Sequence, residues 1–302
     1  MVARKDIWRV GIAHAPLDQL LRAGTLKGTA VTWLPDLPPL QFAADPFGIR
    51  RDGNLYIFQE IYDYRDRLGK IEALTLDSSF KILDRRLVLQ EPWHLSYPFL
   101  IEDGGETYML PEAHRSGRLT LYRAVNFPKQ WSAVQTIELD QVPIDATPLF
   151  YNGLWWMFYT PATTRLEKVS ALHVAFAKQL TGPWTPHPLN PVRFDASSAR
   201  PGGTPVIRDG GIILPVQDCT KTYGGAMRAL NIHKLTPDAF EATASEVIGA
   251  PDTSGGFDDG FHTLSAAGAL TLVDVKRFEL SAHTLALDVR HFLRKTLGRR
   301  GR

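Results

Sequence analysis

The segment that decides the fold starts at residue 45 and reads DPFGIRRDGNLYIF as far as residue 58. A short polar opening leads into an apolar run, an Asp-Gly turn follows, and a second apolar run completes the unit. Asp-Gly and Asn-Gly between apolar runs are strong hairpin signals, because both turn residues take positive φ. The segment therefore predicts two antiparallel strands joined by a tight turn.

The same unit recurs four more times along the chain. The five copies open at residues 45, 97, 145, 200 and 262, so their spacings are 52, 48, 55 and 62 residues. A period near fifty residues, with further strand-like runs after the hairpins, is typical of the blades of a β-propeller. The pattern predicts an all-β fold, a five-bladed β-propeller over residues 1–281. A two-sheet sandwich, the alternative with short alternating strands, has no reason to repeat one hairpin at near-constant spacing.

The two ends of the chain contain predicted strands and a predicted helix that lie outside the five repeats. The last copy has no outer strands, whereas strand-like runs at residues 8–13 and 30–34 precede the first copy. We expect these N-terminal strands to complete the last blade, because closure removes open sheet edges. Residues 282–302 are predicted to be a short C-terminal helix and a basic tail. We expect the helix to pack on the propeller rather than to bind a membrane or an acidic partner.

The composition excludes several classes of function. The 302 residues carry 34 Lys and Arg against 32 Asp and Glu, with one cysteine (Cys219). No apolar run is long enough to span a membrane, and the first residues do not resemble a signal peptide. These features predict no transmembrane segment, no nucleic-acid partner, no disulfide framework and a cytoplasmic location. Phosphate-loop, dinucleotide-binding and zinc-ligand motifs are absent from the sequence.

A propeller fold predicts where the polar residues converge. The innermost strand of each blade lines the axis, and its start lies beside the end of the antiparallel second strand. The residues expected at this central mouth are Asp45, Tyr97, Asp145, Arg200 and His262 from the first strands, and Glu60, Glu112, Gln217, Asp218 and Asp274 from the second. Clustered carboxylates repel, so some must have raised pKa values or be paired. Such groups are candidates for function, although structural ion pairs leave the same signature.

Aromatic and polar residues beside these carboxylates suit a carbohydrate. Trp93 and His94 precede the second inner strand, and Tyr223 follows the fourth hairpin. The C–H faces of sugars stack on aromatic rings, while their hydroxyls bond to polar groups. We therefore expect these residues to bind a sugar, although an apolar cap over the blade would explain Trp93 equally well.

Several motifs together resemble one family. They are Ala44-Asp-Pro-Phe, His94-Leu-Ser-Tyr-Pro-Phe, Tyr108-Met-Leu-Pro-Glu, Asp145-Ala-Thr, Ala199-Arg-Pro-Gly-Gly, Gln217-Asp-Cys and His262-Thr-Leu-Ser. The family is the five-bladed propeller found at the N-terminus of glucosamine inositolphosphorylceramide transferases and beside some bacterial formyltransferases. It is similar to the propellers of glycoside hydrolase family 43. The resemblance extends from about Trp8 to Asp274.

The resemblance implies a set of catalytic and metal-binding residues. Family 43 enzymes are inverting glycosidases with a base Asp, a second Asp that tunes pKa values and an acid Glu. Asp45 matches the base, but the other two positions do not transfer, so Glu60, Glu112 or Asp145 would complete the set. His262 resembles a last-blade histidine that helps to hold a central metal, which makes calcium or another divalent ion a candidate cofactor. Arg200 would hold an anionic group of the substrate.

Two functions follow from these residues and the resemblance. The first is a glycosidase-like enzyme acting on a sugar, glycolipid or nucleotide-sugar intermediate of surface glycan synthesis. The second is a non-catalytic carbohydrate-binding propeller that serves a partner glycosyl- or formyltransferase. A protein-interaction propeller is less favoured, because a mouth lined by carboxylates is poor evidence for it.

Overall fold

Five antiparallel sheets form the blades of a β-propeller in a computed structural model, which describes residues 4–252 and 254–288. The all-β, five-bladed fold that the repeat predicts is confirmed. Ahead of the first repeat lie β1 (Lys5–Ala13), α1 (Leu17–Ala23) and β2 (Val31–Trp33). Blade 1 consists of β3 (Gln41–Arg51), β4 (Asn54–Asp63), β5 (Leu68–Leu76) and β6 (Ile82–Leu89).

Blades 2 to 4 follow in chain order, each with its inner strand first. Blade 2 consists of β7 (Ser96–Asp103), β8 (Glu106–Glu112), β9 (Leu119–Asn126) and β10 (Gln130–Ile137), with a 3-10 turn at His114–Ser116. Blade 3 consists of β11 (Pro143–Tyr151), β12 (Leu154–Pro161), β13 (Ala171–Ala177), β14 (Thr185–Pro186) and β15 (Arg193–Phe194), with α2 (Glu167–Ser170) before β13. Blade 4 consists of β16 (Arg200–Pro201), β17 (Val206–Arg208), β18 (Gly211–Asp218), β19 (Ala226–Thr236) and β20 (Ala239–Ala244).

The N-terminal strands close the ring, as expected. Blade 5 combines β21 (Leu264–Ala267) and β22 (Leu270–Glu279) with the N-terminal strands β1 and β2. Its strand order is β2-β1-β22-β21. The pairing of β1 with β22 runs without interruption from Lys5 opposite Glu279 to Ala13 opposite Thr271. The first and last strands of the propeller therefore share one sheet, and β22 has no open edge along this stretch.

The apolar core lies between neighbouring blades. Five clusters of buried side chains occupy the gaps between the sheets; the cluster between blades 3 and 4, for example, joins Trp156 and Phe158 to Leu214 and Leu230. Because the cores lie between the blades, the axis is left for polar side chains.

The C-terminal segment begins as a helix over residues 282–288. Leu287 is buried, and Lys5 donates a 2.7 Å hydrogen bond to Asp288 Oδ1, so the start of this helix contacts the propeller. The predicted basic tail lies outside the described residues. Within the described part of the chain, no helix has the length and apolar character needed to cross a bilayer.

A β-bulge opens the inner strand of blades 1, 2 and 3. The strand register shifts around Asp45, Tyr97 and Asp145, and these residues have φ values of 50°, 44° and 50°. Positive φ is uncommon outside glycine and is often found at functional sites, where the surrounding structure holds it. A bulge also re-aims a side chain. The same local distortion thus directs three of the expected mouth residues to the axis.

Candidate functional site

A pocket of about 300 Å³ opens where the inner strands begin. Its walls combine carboxylates, imidazoles, cations and aromatic rings. The lining residues are Trp8, Phe42, Ala44, Asp45, Glu60, Tyr62, His94, Ser96, Glu112, His114, Ile144, Lys168, Arg200, Tyr223 and His262. We call this the mouth pocket.

Asp45 lies on the floor of the mouth pocket and is almost completely buried. Its carboxylate accepts hydrogen bonds from Thr263 Oγ1 at 3.1 Å and from the Tyr97 backbone N–H at 3.2 Å. Burial raises the pKa of Asp45; the charge of His262 opposes this effect and that of Asp274 adds to it, so the pKa is about 7. A carboxyl with this pKa exchanges its proton near neutral pH, as a general base must.

Asp274 fixes His262 beside Asp45. The Asp274 carboxylate accepts from the backbone N–H groups of Asp45, His262 and Thr263 and lies 2.8 Å from His262 Nδ1. Burial lowers the pKa of His262, but the charges of Asp274 and Asp45 outweigh that and raise it above its ordinary value. Trp8 stacks on the imidazole, with ring centroids 3.7 Å apart.

A buried lysine supports this stack from β22. Lys276 is fully buried, donates a 2.6 Å hydrogen bond to the Tyr223 backbone oxygen, and lies 5.1 Å from the centre of the Trp8 ring. A cation at this distance from an aromatic ring is attracted to it. Lys276 therefore ties β1, β22 and the Tyr223 loop together behind His262.

Asp45, His262 and Asp274 are close enough to share a metal ion, with one ligand atom from each lying within 4.8 Å of the others. The Asp274 oxygens, however, already accept from three backbone amides and face the imidazole. The remaining ligand atoms are His262 Nε2 and Asp45 Oδ1, which lie 3.6 Å apart, and Asp45 Oδ1 also accepts from Thr263 Oγ1. Calcium takes six to eight oxygen ligands, so these residues supply too few donors to hold it alone. Asp45 and His262 are assigned roles here that need no ion.

Glu60 faces the mouth pocket without a hydrogen-bond partner for Oε1 among the described residues. His94 Nε2 lies 3.5 Å from this oxygen. Burial raises the pKa of Glu60 well above its ordinary 4.5, and the charges of Asp45 and Glu112 raise it further. Burial therefore favours the protonated form of Glu60, which can give a proton to a ligand.

Glycine at position 69 makes room for this acid. A Cβ at Gly69 would lie 2.6 Å from Glu60 Oε1 and 2.2 Å from the Leu95 backbone oxygen. Its backbone N–H donates a 2.9 Å hydrogen bond to His94 Nδ1. The start of β5 thus positions both Glu60 and His94 by close backbone approach.

Glu112 has the opposite electrostatic character to Glu60. It accepts from Ser96 Oγ at 2.9 Å and from the His114 backbone N–H at 2.7 Å, and its Oε1 lies 2.5 Å from His114 Nδ1. Burial raises the pKa of Glu112, but the hydrogen bond and charge of His114 lower it to about 2. Glu112 is therefore ionised at neutral pH, whereas burial favours the protonated form of Glu60.

On the side of the pocket built by blades 3 and 4, Arg200 forms an ion pair with Asp145. Arg200 Nε donates to Asp145 Oδ2 at 2.7 Å, and Nη1 donates to the Lys168 backbone oxygen at 2.9 Å. Gln217 donates to the same Asp145 oxygen at 3.1 Å. The guanidinium also lies 4.8 Å from the centre of the Tyr223 ring. Asp145 is thereby committed to holding Arg200 in place.

Most of the residues predicted for the mouth meet there, in two layers. Those that line the pocket are Asp45, Glu60, His94, Glu112, Arg200, Tyr223 and His262. Tyr97, Asp145 and Asp274 are buried and bonded to members of the first group, and Gln217 is buried and bonded to Asp145. The second layer holds the first in place.

Two predicted residues lie elsewhere. Trp93 is packed against the apolar cluster between blades 1 and 2 and does not line the pocket. Asp218 lines a neighbouring depression and accepts a 2.9 Å hydrogen bond from Arg228. Asp218 ends β18 as expected and Trp93 lies in the loop before β7, but neither side chain lines the mouth pocket.

Several lining residues, of which His114 and Trp8 matter most, are not predicted from the sequence. His114 begins the 3-10 turn directly after β8, two residues beyond Glu112, so its closeness in sequence to that glutamate was a usable signal. The position of Trp8 depends on the β1–β22 register, in which it pairs with Lys276. The sequence around Trp8 gives no indication of the register between β1 and β22.

Comparisons with known proteins agree with this architecture. The family model described as glucosamine inositolphosphorylceramide transferase 1, N-terminal, matches residues 34–254. A curated relative, glucosamine inositolphosphorylceramide transferase 1 of Oryza sativa subsp. indica, is 35% identical over 209 residues. That match covers 67% of this chain and 28% of the relative, so the chain spans less than a third of the length of that protein.

Glycoside hydrolases are among the solved structures with a similar fold. A family 117 glycoside hydrolase of Zobellia galactanivorans superposes with a TM-score of 0.55 at 16% identity, covering 72% of this chain and 74% of that one. The catalytic domain of a family 62 α-L-arabinofuranosidase of Coprinopsis cinerea gives 0.53 at 11% identity, with 69% and 70% covered. Identities this low show the fold alone. The family match and the five blades together lead to one assignment: the chain belongs to the family of the N-terminal domain of glucosamine inositolphosphorylceramide transferase 1.

Proposed function

We propose that this propeller hydrolyses a glycosidic bond in the mouth pocket. The observation that carries the proposal is Glu60, a buried carboxyl with an unpartnered oxygen that lines the same pocket as Asp45. Two carboxyls whose environments give them different protonation states provide an acid and a base in one site. Glycoside hydrolysis requires this pair.

The two carboxyls have separate roles in the reaction. Glu60 protonates the glycosidic oxygen as the bond from the anomeric carbon breaks, and Asp45 takes a proton from the water that attacks that carbon. The products are a hemiacetal and the free alcohol, with Glu60 ionised and Asp45 protonated until solvent restores both. Asp274 and His262 act on Asp45 by fixing its position and its pKa. The resemblance to family 43 implies inversion at the anomeric carbon, which proton NMR of the first-formed product would detect.

The lining residues favour a sugar that carries an anionic group. Tyr62, Tyr223 and Trp8 offer aromatic surface, while Lys168 and Arg200 bring positive charge to one side of the pocket. Arg200 binds protein through Nε and Nη1, which leaves Nη2 for a ligand. A glycolipid or nucleotide-sugar intermediate of surface glycan synthesis, encountered in the cytoplasm, has the required phosphate beside a sugar.

The direct test is incubation with aryl glycosides, sugar phosphates and nucleotide sugars. Release of reducing sugar by the wild-type protein, lost in Asp45 and Glu60 variants, would support hydrolysis. The absence of release from every compound, under conditions in which calorimetry shows binding, would reject it.

Replacing the acid should make the protein more stable while removing activity. In the unfolded chain Glu60 loses its proton near pH 4.5, whereas the folded protein keeps it, so folding becomes less favourable as the pH rises above that value. Glu60→Gln removes this cost, so its Tm should exceed that of the wild type at pH 7, by roughly 2–4 °C per kcal/mol recovered. The advantage should shrink at pH 4.5. A variant less stable than the wild type at pH 7 would contradict the protonated state of Glu60.

The pH profile should report Asp45. Because the pKa of Asp45 is about 7, the base is largely protonated at pH 6. We expect kcat/KM to rise about tenfold per pH unit below 7 and to level off above it, until Glu60 loses its proton at higher pH. The measurement is kcat/KM from pH 5 to 9. An activity that is constant from pH 5 to 7 would argue against Asp45 as the base.

A non-catalytic role in binding carbohydrate is the second candidate. The blade 4 position of the mouth is occupied by Arg200 in an ion pair rather than by an acid. The curated relative is also much longer than this chain and is named as a transferase. A propeller that presents a sugar to a partner glycosyl- or formyltransferase would bind glycans without hydrolysing them on prolonged incubation, and Glu60→Gln would leave its affinity nearly unchanged.

A further inference from the structure

The blade 1 wall of the mouth pocket is built in layers by the pairing of β3 with β4. In the register of these strands Ala44 lies opposite Glu60 and Phe42 lies opposite Tyr62. All four residues line the pocket. Residues two apart on a strand share a face and are separated by about 6.7 Å along it. The pair of Phe42 and Tyr62 is therefore the layer next to Glu60 on the same wall.

This aromatic layer lies on the side of Glu60 nearer to the opening. β4 ends at Asp63 on the face of the propeller where the pocket opens, and Tyr62 follows Glu60 on that strand. Asp45 follows Ala44 on β3 and lies deeper, on the floor. A ligand with its anomeric carbon at Asp45 and its glycosidic oxygen at Glu60 therefore places the group beyond that oxygen beside Tyr62.

The Tyr62 ring is held in place by aromatic neighbours. It stacks on Phe42, with ring centroids 5.0 Å apart and planes 18° from parallel. The rings of Tyr64 and His94 lie at steep angles to it, with centroids 5.0 Å and 5.7 Å away. Offset stacking leaves part of a ring uncovered, and the Tyr62 side chain is only half-buried. The wall thus presents a fixed apolar surface next to the acid.

The lysine and arginine that line the pocket belong to other blades. Lys168 is on α2 of blade 3 and Arg200 is on β16 of blade 4, whereas Glu60 and Tyr62 are on β4 of blade 1. An anionic group bound by Arg200 is therefore on a different wall from a ring bound by Tyr62. The group attached through the glycosidic oxygen meets an apolar surface at this wall.

We infer that Tyr62 binds the leaving group of the substrate and selects a leaving group that contains a ring with an apolar C–H face, such as a second sugar. Contact with the aromatic ring removes apolar surface of both groups from water. In the reaction above, Glu60 protonates the glycosidic oxygen, so this leaving group departs as a neutral alcohol. The inference rests on the proposed function in placing Glu60 at the glycosidic oxygen, but the contact with Tyr62 does not itself require hydrolysis.

Ethyl and cyclohexylmethyl glycosides of the same sugar test this contact, because both leaving groups are primary alcohols and only one contains a ring. The series comprises glucosides, galactosides, mannosides and glucuronides in both anomeric configurations, and the measurement is kcat/KM for each pair. We expect the wild type to favour the cyclohexylmethyl glycoside by about tenfold. Tyr62→Ala should bring this ratio close to one, whereas Tyr62→Phe should keep it, since the ring remains.

Tyr56→Ala is the matched control for Tyr62→Ala. Tyr56 is also half-buried on β4 and its ring centroid lies 4.9 Å from that of Phe127, but it does not line the pocket. Its replacement removes a comparable aromatic contact from the same strand and should leave the ratio unchanged. The Tm of each variant is measured alongside. If Tyr62→Ala does not fold, Tyr62→Thr takes its place, because threonine favours a strand.

The outcomes separate this inference from the proposed hydrolysis. Turnover with a ratio that Tyr62→Ala leaves unchanged, or that Tyr56→Ala lowers equally, overturns the inference alone. A preference for cyclohexylmethyl glycosides that calorimetry detects, that depends on Tyr62 and that occurs without release of sugar supports the inference and overturns hydrolysis. Binding of no glycoside in the series by the wild type overturns both.

Discussion

Asp45→Asn should lower kcat by about 10²–10⁴-fold on any glycoside that the wild-type protein hydrolyses, the contribution typical of a general base. The amide cannot take a proton from the attacking water, whereas its size and shape are those of the carboxyl. The measurement is kcat, together with the Tm of both proteins.

The fold should tolerate this substitution for two reasons. Asp45 has a φ of 50°, and asparagine is one of the few residues other than glycine that adopt this conformation readily. The amide can also keep both local hydrogen bonds, with its oxygen accepting from the Tyr97 N–H and its NH₂ donating to Thr263 Oγ1. We therefore expect the Tm to change by only a few degrees.

Asp52→Asn is the matched control for Asp45→Asn. Asp52 is an exposed hairpin residue of blade 1 with a φ of 52°, so the same substitution is made in the same backbone conformation away from the pocket. It should leave both kcat and Tm unchanged. If Asp45→Asn turned over substrate at the wild-type rate, Asp45 would not be the base, whatever its pKa.

The fold was accessible from the sequence because a propeller repeats its signals. Each hairpin is marked locally by its turn, and five copies at near-constant spacing leave few architectures to choose from. Topology then brings Asp45, Asp145 and His262 to the axis without any knowledge of side-chain packing. For the same reason the second layer of residues beneath the pocket was largely predictable.

The features of the site that the sequence did not predict depend on the direction and the partners of individual side chains. Trp93 precedes the second inner strand and Asp218 ends β18, as expected. The side chain of Trp93 packs against the apolar cluster between blades 1 and 2, and Asp218 pairs with Arg228. Glu60 and Glu112 occupy equivalent positions on the second strands of blades 1 and 2, yet His114 lowers the pKa of Glu112 while burial raises that of Glu60. The histidine two residues beyond Glu112 lowers the pKa of that glutamate, whereas the residue at the same distance from Glu60 is Tyr62. The repeat makes the two strands look alike in sequence and conceals this difference.

Gly203→Ala should prevent stable folding, with a cost above roughly 4 kcal/mol, in the range reserved for severe steric or buried-polar defects. Gly203 lies between β16 and β17 with a φ of 148°, and a Cβ there would be 1.8 Å from the Leu264 backbone oxygen. Urea denaturation, or the yield of soluble protein if the variant does not fold, provides the measurement.

The large expected destabilisation follows from the backbone contacts around Gly203. Leu264 N–H donates to the Gly202 oxygen at 2.8 Å, and Thr204 N–H donates to the Leu264 oxygen at 3.1 Å, so the inner strands of blades 4 and 5 bond directly across Gly203. The Gly203 N–H itself donates to Tyr97 Oη at 2.8 Å. A methyl group would have to separate these backbones, and both partners are buried with no room to move.

Gly153→Ala distinguishes this steric effect from the ordinary cost of positive φ. Gly153 is the hairpin glycine of blade 3, with a φ of 78° and open space where a Cβ would lie. Its substitution should cost only about 1–2 kcal/mol. Equal destabilisation by the two alanines would mean that blades 4 and 5 do not approach this closely. A much larger effect at Gly203 would show that the Tyr97 bulge beneath the pocket rests on a backbone contact between these two blades.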